Sequence, residues 1–410
     1  MLFYLTPRLQ VISYIAESKR SMIDLLPNEI LDLIGQWLDD EDLRVVTMVC
    51  ELLRAIFLPV YLKRNEFSPG RNYISLKGLS KFRAFKSYHR FPHPPRHACL
   101  SAVLNKEDTD AELSCLAYAL PQFPARTFRS ISLYFTCYDL IHAEPLNALL
   151  AALVPIQCKN LLIMALLPGE HHINVPPVYP PMAWNLTNLT IEGNLNHIPF
   201  QPLLFGASEV LEELRLCSVE ATSTSFLWKT LLNTITFPKL RSFQTSEDMP
   251  LPLLLDFLSR HPKVSSLAID VNTCNKTIPT DDVIKQVDLK SLKVLSGPPL
   301  HVFTILRSAS ASPSLARLSL LLNDLPNMLI YPEVFKCFAL CQKVKAFQVT
   351  LPHRNCRAST QTNNIFSDFT SLGIKVFKIT LLDIDYLQDD DNASNEEIMV
   401  SDIFSNTAHH

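Results

Sequence analysis

The sequence predicts an α/β fold in which a three-helix N-terminal module precedes an irregular strand–helix solenoid. Three observations carry this. Apolar residues between Ile23 and Arg64 recur at three- and four-residue steps, the spacing of one helix face. Beyond residue 105, an L-x-x-L-x-L pattern, with other apolar residues standing in for some leucines, returns every 23–30 residues, which marks a repeat array. Helical patterns separate successive copies. The expected organisation is an N-terminal extension (1–22), a helical module (23–64), a basic linker with degenerate leading repeats (65–104), the solenoid (105–387) and an acidic, disordered tail (388–410).

The extension is apolar from Met1 to Ile15 but broken by Pro7, Arg8 and Gln10. It has neither a basic first region nor a small-residue cleavage site, so it fits a signal peptide poorly. No stretch of the chain reaches 18 uninterrupted apolar residues, and no membrane contact is expected.

In the helical module, Pro27 stands at a helix start, where its missing N–H costs nothing. Ile30, Leu31, Ile34, Trp37 and Leu38 follow at helical spacing. Asp39 and Asp40 can cap a second helix and put negative charge at its positive end. That helix carries Leu43, Val46, Val49 and Cys50. A third carries Leu53, Ile56 and Phe57 and is expected to be interrupted at Pro59. From Leu25 to Arg64, 23 of 40 positions are apolar. So short a segment cannot enclose that much apolar surface in a core of its own. Part of it must meet the rest of the chain or a partner.

The order Leu26-Pro27-x-Glu29-Ile30-Leu31-x-x-Ile34-x-x-x-Leu38-x-x-x-Asp42-Leu43, then Val46, Val49-Cys50, Leu53-Arg54-x-Ile56 and Pro59, resembles an F-box. Two positions depart from that family: Glu51, where Arg or Lys is usual, and Leu53, where an aromatic is common. The resemblance implies docking on the Skp-type adaptor of a cullin–RING core. The residues it implicates are Leu26, Pro27, Ile30, Leu31, Ile34, Leu38, Leu43, Val46, Val49, Cys50, Leu53 and Ile56. It further implies the substrate-recognition subunit of an SCF-type ubiquitin ligase, cytoplasmic and/or nuclear, with an unknown substrate protein as second partner. A non-degradative scaffold or protein-interaction adaptor is the alternative. A plain helical cap on the array would explain the apolar content, but not the Leu-Pro start or the Asp-Leu and Val-Cys pairs.

From Lys63 to Leu100 nine Lys/Arg stand against one carboxylate, Glu66. Aromatics interleave at Phe67, Tyr73, Phe82, Phe85, Tyr88 and Phe91. A nucleic-acid patch has this composition. A helix with aromatics inward and charges in water has it too, and the net charge of −3 favours the second reading. No nucleic acid is expected as a partner. Asn72–Leu76 and His97–Leu104 read as degenerate leading strands, with a helix from Asp110 to Ala119.

Ten strands are then expected, starting at Phe128, Cys158, Leu186, Leu211, Leu240, Val264, Leu292, Leu315, Val344 and Ile374. Leu315-x-x-Leu318-x-Leu320-x-x-Asn323-x-Leu325 fits the whole leucine-rich-repeat template. Seven of the ten lack the Asn, so the array is leucine-rich-repeat-like with an incomplete Asn ladder. Helices are expected over Pro145–Val154, Phe226–Ile235, Leu251–Ser259, Asp281–Val287, Leu300–Ser308 and Glu333–Cys341. Pro145, Pro202, Pro279, Pro299 and Pro332 lie near helix starts, which accounts for much of the proline excess. Each unit buries one face against its neighbours, and stacking joins these faces into one core.

The positions between the leucines point away from that core. Among them, Tyr134, Leu162, Met164, Glu192, Arg215, Gln244 and Arg317 are the candidate substrate contacts, with Leu162 and Met164 as the apolar anchor. The face holds no nucleophile–base pair, so no enzymatic chemistry is expected. Eight glycines, and no GxGxxG, GxxxxGK[ST] or GxSxG, argue against nucleotide enzymes and α/β-hydrolases. Ten scattered cysteines suit reduced, buried thiols. Cys337, Cys341, His353 and Cys356 are the only candidate metal group, and neither a metal nor another cofactor is expected. His171-His172 reads as part of a solvated loop, and the tail after Gln388 has six acidic residues and no Lys or Arg.

Overall fold

The computed structural model describes residues 26–68, 71–90, 95–105, 107–136, 143–165, 185–193, 201–217, 234–246, 250–270, 286–310, 315–321, 344, 346–352 and 376–382. The N-terminal extension, the helices expected over 226–235, 281–287 and 333–341 (apart from their last residues 234–235 and 286–287), His171-His172, the cysteine–histidine group near 337–356 and the acidic tail lie outside them. The chain forms two compact units, residues 1–174 and 175–410.

The first unit begins with three helices, α1 (Asn28–Trp37), α2 (Asp40–Val49) and α3 (Glu51–Arg64). The Asp39 carboxylate accepts the Asp42 N–H at 2.7 Å and so caps α2. Leu31, Leu38, Leu43, Val46, Leu53, Phe57, Leu58, Tyr61 and Leu62 are buried. Gly35 permits the close approach of α1 and α3, because a Cβ there would sit 3.2 Å from the Phe57 ring. The expected break at Pro59 does not occur, and α3 runs through it. Pro59 and Ala55 are both exposed, so water can satisfy the Ala55 carbonyl that the missing N–H leaves open.

Strand–helix units follow without a separate linker. β1 (Tyr73–Lys77), α4 (Leu79–Tyr88), β2 (Ala98–Leu104), α5 (Thr109–Ala119), β3 (Phe128–Phe135), α6 (Ala143–Leu153) and β4 (Asn160–Ala165) alternate. The strands pair in parallel in chain order. Parallel neighbours require a crossover, and the helices provide it. The basic segment lies largely on β1 and α4. Phe82, Phe85 and Tyr88 of α4 are buried while Arg83 and Lys86 stay in water. An aromatic cluster packs the segment just after α3 against α4 and the start of β3: Phe67 lies 4.9 Å from Tyr88, and Phe123 lies 5.1 Å from Phe85 and 5.2 Å from Phe128, ring to ring.

The second unit holds β5 (Asn188–Gly193), α7 (Gln201–Ala207), β6 (Glu213–Cys217), β7 (Ser242–Thr245), α8 (Leu251–Arg260), β8 (Ser266–Ile269), β9 (Val294–Gly297), α9 (Pro299–Ser308), β10 (Arg317–Leu321), β11 (Ala346–Pro352) and β12 (Val376–Leu382). Its eight strands are also parallel and in chain order. Burial alternates along them. Leu189, Ile191, Leu214, Leu216, Phe243, Leu267, Ile269, Leu295, Leu318 and Leu320 are inside, and the residues between them mostly reach solvent. Gly297 faces the neighbouring strand so closely that a Cβ would meet the Ile269 backbone oxygen at 3.2 Å.

Five cysteines are described, and only Cys158 is buried. Cys99 and Cys217 occupy outward strand positions, Cys115 is half-buried on α5, and Cys50 is exposed between α2 and α3. The expectation of buried thiols therefore fails for four of the five. An apolar sequence neighbourhood does not say which strand face a residue takes.

Candidate protein-interaction site

The twelve module residues singled out from the sequence divide into two groups. Leu31, Leu38, Leu43, Val46 and Leu53 are core, no more than 6 % exposed. They hold the helices together and are turned away from any partner. Pro27, Ile30, Val49 and Cys50 are exposed, and Leu26, Ile34 and Ile56 are half-buried. The sequence reading missed four further apolar side chains in water: Leu33, Trp37, Met48 and Leu52. Trp37 is the extreme case, 78 % exposed.

Ile30, Leu33 and Trp37 fall three and four residues apart, so they form one stripe along α1. Met48, Val49 and Leu52 cluster where α2 gives way to α3. A helix with apolar residues both inside and outside is what a docking element requires. The signal was present in the sequence as an excess of apolar positions over what one small core can hold.

Charges brace the module. Arg44 and Glu41 pair one turn apart on α2, and Arg83 of α4 reaches Glu41 at 3.6 Å. The Arg44 hydrogen bond, with help from Arg83, holds the Glu41 carboxyl below the usual carboxylate range. Burial pushes the Tyr61 phenol up to about 12, so it stays neutral within the helical core.

Each unit has its own open sheet face. In the first, Tyr134 pairs in register with Met164, and Ser132 with Leu162. All four are half-buried. In the second, Arg215 lies 3.3 Å from Glu192 and donates from Nε to Cys217 Sγ at 3.3 Å. Gln244 stands next to Arg215 in the register, and Asn188 Nδ2 donates to Glu213 at 2.7 Å. Arg317 is exposed at the start of β10, in register with Val294 of β9. The structure thus brings Tyr134, Leu162 and Met164 together in the first unit; in the second it brings Glu192, Arg215 and Gln244 together and leaves Arg317 apart from them.

These faces offer recognition chemistry. Burial pushes the thiols of Cys217, Cys115 and Cys158 up, the last to about 12, so none of the three is an activated nucleophile. Among the described residues, no group of three or more His, Cys, Asp or Glu could hold a metal ion. Among them, too, no helix is long and apolar enough to cross a membrane.

No protein-family model matches the chain, and no curated protein matches it.

Proposed function

We propose that this protein is the substrate-recognition subunit of an SCF-type cullin–RING ubiquitin ligase. Its three-helix module, an F-box by resemblance, docks on a Skp-type adaptor. Its strand–helix units, a leucine-rich-repeat-like array, hold a substrate protein. The chain contributes proximity: a substrate held near a ubiquitin-charged enzyme reacts at a raised effective concentration.

One observation carries the reading. Six large apolar side chains, Ile30, Leu33, Trp37, Met48, Val49 and Leu52, stand in water on a module that already has a core. They lie within the stretch whose order resembles an F-box. Aromatic and aliphatic anchors of this kind dominate protein interfaces.

The test is co-purification with a Skp-type adaptor. The full chain is compared with an Ile30→Ala/Trp37→Ala/Val49→Ala variant, which removes exposed side chains and spares the core. Capture by the natural chain and loss by a folded variant is the expected result. A natural chain that captures no adaptor makes the module a helical cap, and the ligase reading falls. Substrate ubiquitination that depends on this chain then separates a ligase subunit from a scaffold.

A further inference from the structure

The register of the first sheet places twelve outward residues in three rows across β1 to β4. Tyr73, Cys99, Ser130 and Asn160 form one row. Ser75, Ser101, Ser132 and Leu162 form the next. Lys77, Val103, Tyr134 and Met164 form the third. The middle row is a floor of three serines closed at one end by Leu162. The third row runs beside it, cationic at β1 and apolar from β2 to β4.

We infer that this face binds an extended peptide segment of the substrate carrying an acidic residue and an aliphatic residue four positions apart. The inference rests on reading the strand faces as the substrate surface. Its chemistry comes from the rows. Lys77 is the one charged residue at the twelve positions, and none is a carboxylate. An acidic side chain complements that end. Leu162, Met164 and Tyr134 form the apolar corner at the other end, where an aliphatic side chain is desolvated.

The spacing follows from sheet geometry. From β1 to β4 there are three interstrand steps of about 4.8 Å, so Lys77 and Met164 stand roughly 14 Å apart. An extended chain advances about 3.3–3.6 Å per residue, so four residues bridge that distance. Serine hydroxyls both donate and accept hydrogen bonds, which matches the alternating N–H and C=O groups of a peptide backbone crossing the floor. A single cation does not suit a phosphate backbone, whose binding scales with the number of charges neutralised.

The second unit provides an internal contrast. On β5, β6 and just past β8 its outward residues include Glu192, Glu213 and Asp270 against Arg215. Acidic peptides are disfavoured at that cluster; Arg317, exposed on β10, stands apart from it, so the response to Lys77→Glu is what assigns the selection to the first face.

The experiment is selection of unstructured random decapeptides, displayed on phage, by the full chain. The expected winners carry Asp or Glu and Leu, Ile, Met or Val four apart, in either order. Lys77→Glu is expected to replace the acidic residue with Lys or Arg at the same spacing, a gain that misfolding cannot produce. Leu162→Ser/Met164→Ser is expected to weaken the winners at least about tenfold. Winners without this spacing, no winners, or a selection that Lys77→Glu leaves unchanged overturn the inference. Adaptor capture is scored on the same preparations. A chain that captures adaptor but selects no such peptide sinks this inference alone. A chain that selects the peptides but captures no adaptor sinks the ligase reading alone.

Discussion

Arg64 donates from Nη2 to the Gly35 carbonyl at 2.9 Å. The same guanidinium reaches the Gln36 and Leu38 carbonyls at 2.9 and 2.6 Å. The last residue of α3 therefore caps the C-terminal end of α1, where carbonyls lack intrahelical partners and the helix dipole is negative. Arg64→Ala is expected to destabilise the first unit by about 1–2 kcal/mol, read as a lower urea midpoint. Arg64→Lys should not restore it, because an ammonium cannot fork across three carbonyls. Full rescue by lysine would reduce the cap to a simple charge effect.

Gly35 has a second role in the same contact. Alanine inside a helix ordinarily gains roughly 0.5–1 kcal/mol over glycine. Here the added methyl would sit 3.2 Å from both Cδ1 and Cε1 of Phe57, whose ring is buried and cannot swing aside. Overpacking wins, and Gly35→Ala is expected to lose about 1–2 kcal/mol. A stabilised variant in thermal unfolding would mean that α1 and α3 can separate without loss.

Much of the fold is legible from one device. In L-x-x-L-x-L the last two leucines share the buried face of a strand, so one pattern supplies position, phase and orientation together. All ten expected strands occur, and so do the degenerate pair at Tyr73 and Ala98. The module was less legible because periodicity cannot say what covers a helix face. Leu43 and Trp37 are both apolar at helical spacing, yet one is fully buried and the other almost free. Only the packing of α3 against α1 and α2 separates them. His261 was invisible for another reason: its partner Phe237 lies on a different segment, and no local pattern links the two.

His261 is a pH-sensitive brace of the second unit. Its Nε2 accepts the Phe237 N–H at 2.9 Å, and its Nδ1 faces the Phe257 carbonyl at 2.6 Å. This pattern requires the neutral ring, with the proton on Nδ1. Protonation would set two N–H groups against each other. Burial, the largest cause, also lowers its pKa below the ordinary 6.5. The unfolded chain then binds the extra proton more readily, so stability is full above pH 6.5 and falls as pH drops from there through the folded value. His261→Leu should be less stable at pH 7.5 and should lose this acid-dependent component. Urea unfolding from pH 8 to pH 5 measures both, and an unchanged pH profile in the variant would remove His261 from the account.

Trp37 and Leu43 separate binding from folding. Leu43 is fully buried, so Leu43→Ala is expected to lose about 2–5 kcal/mol of stability. Trp37 touches little of its own chain, and Trp37→Ala should shift stability by no more than about 0.5 kcal/mol. Adaptor capture should respond in the opposite order. Losing an interface tryptophan typically costs about 2 kcal/mol or more, roughly thirtyfold in affinity. Leu43→Ala should reduce capture only in proportion to the chain it unfolds. Titration calorimetry on folded fractions of both variants makes the comparison. If Trp37→Ala binds as the natural chain does, the α1 stripe is not the docking face, and the adaptor contact, if present, must lie on the Met48–Leu52 side of the module.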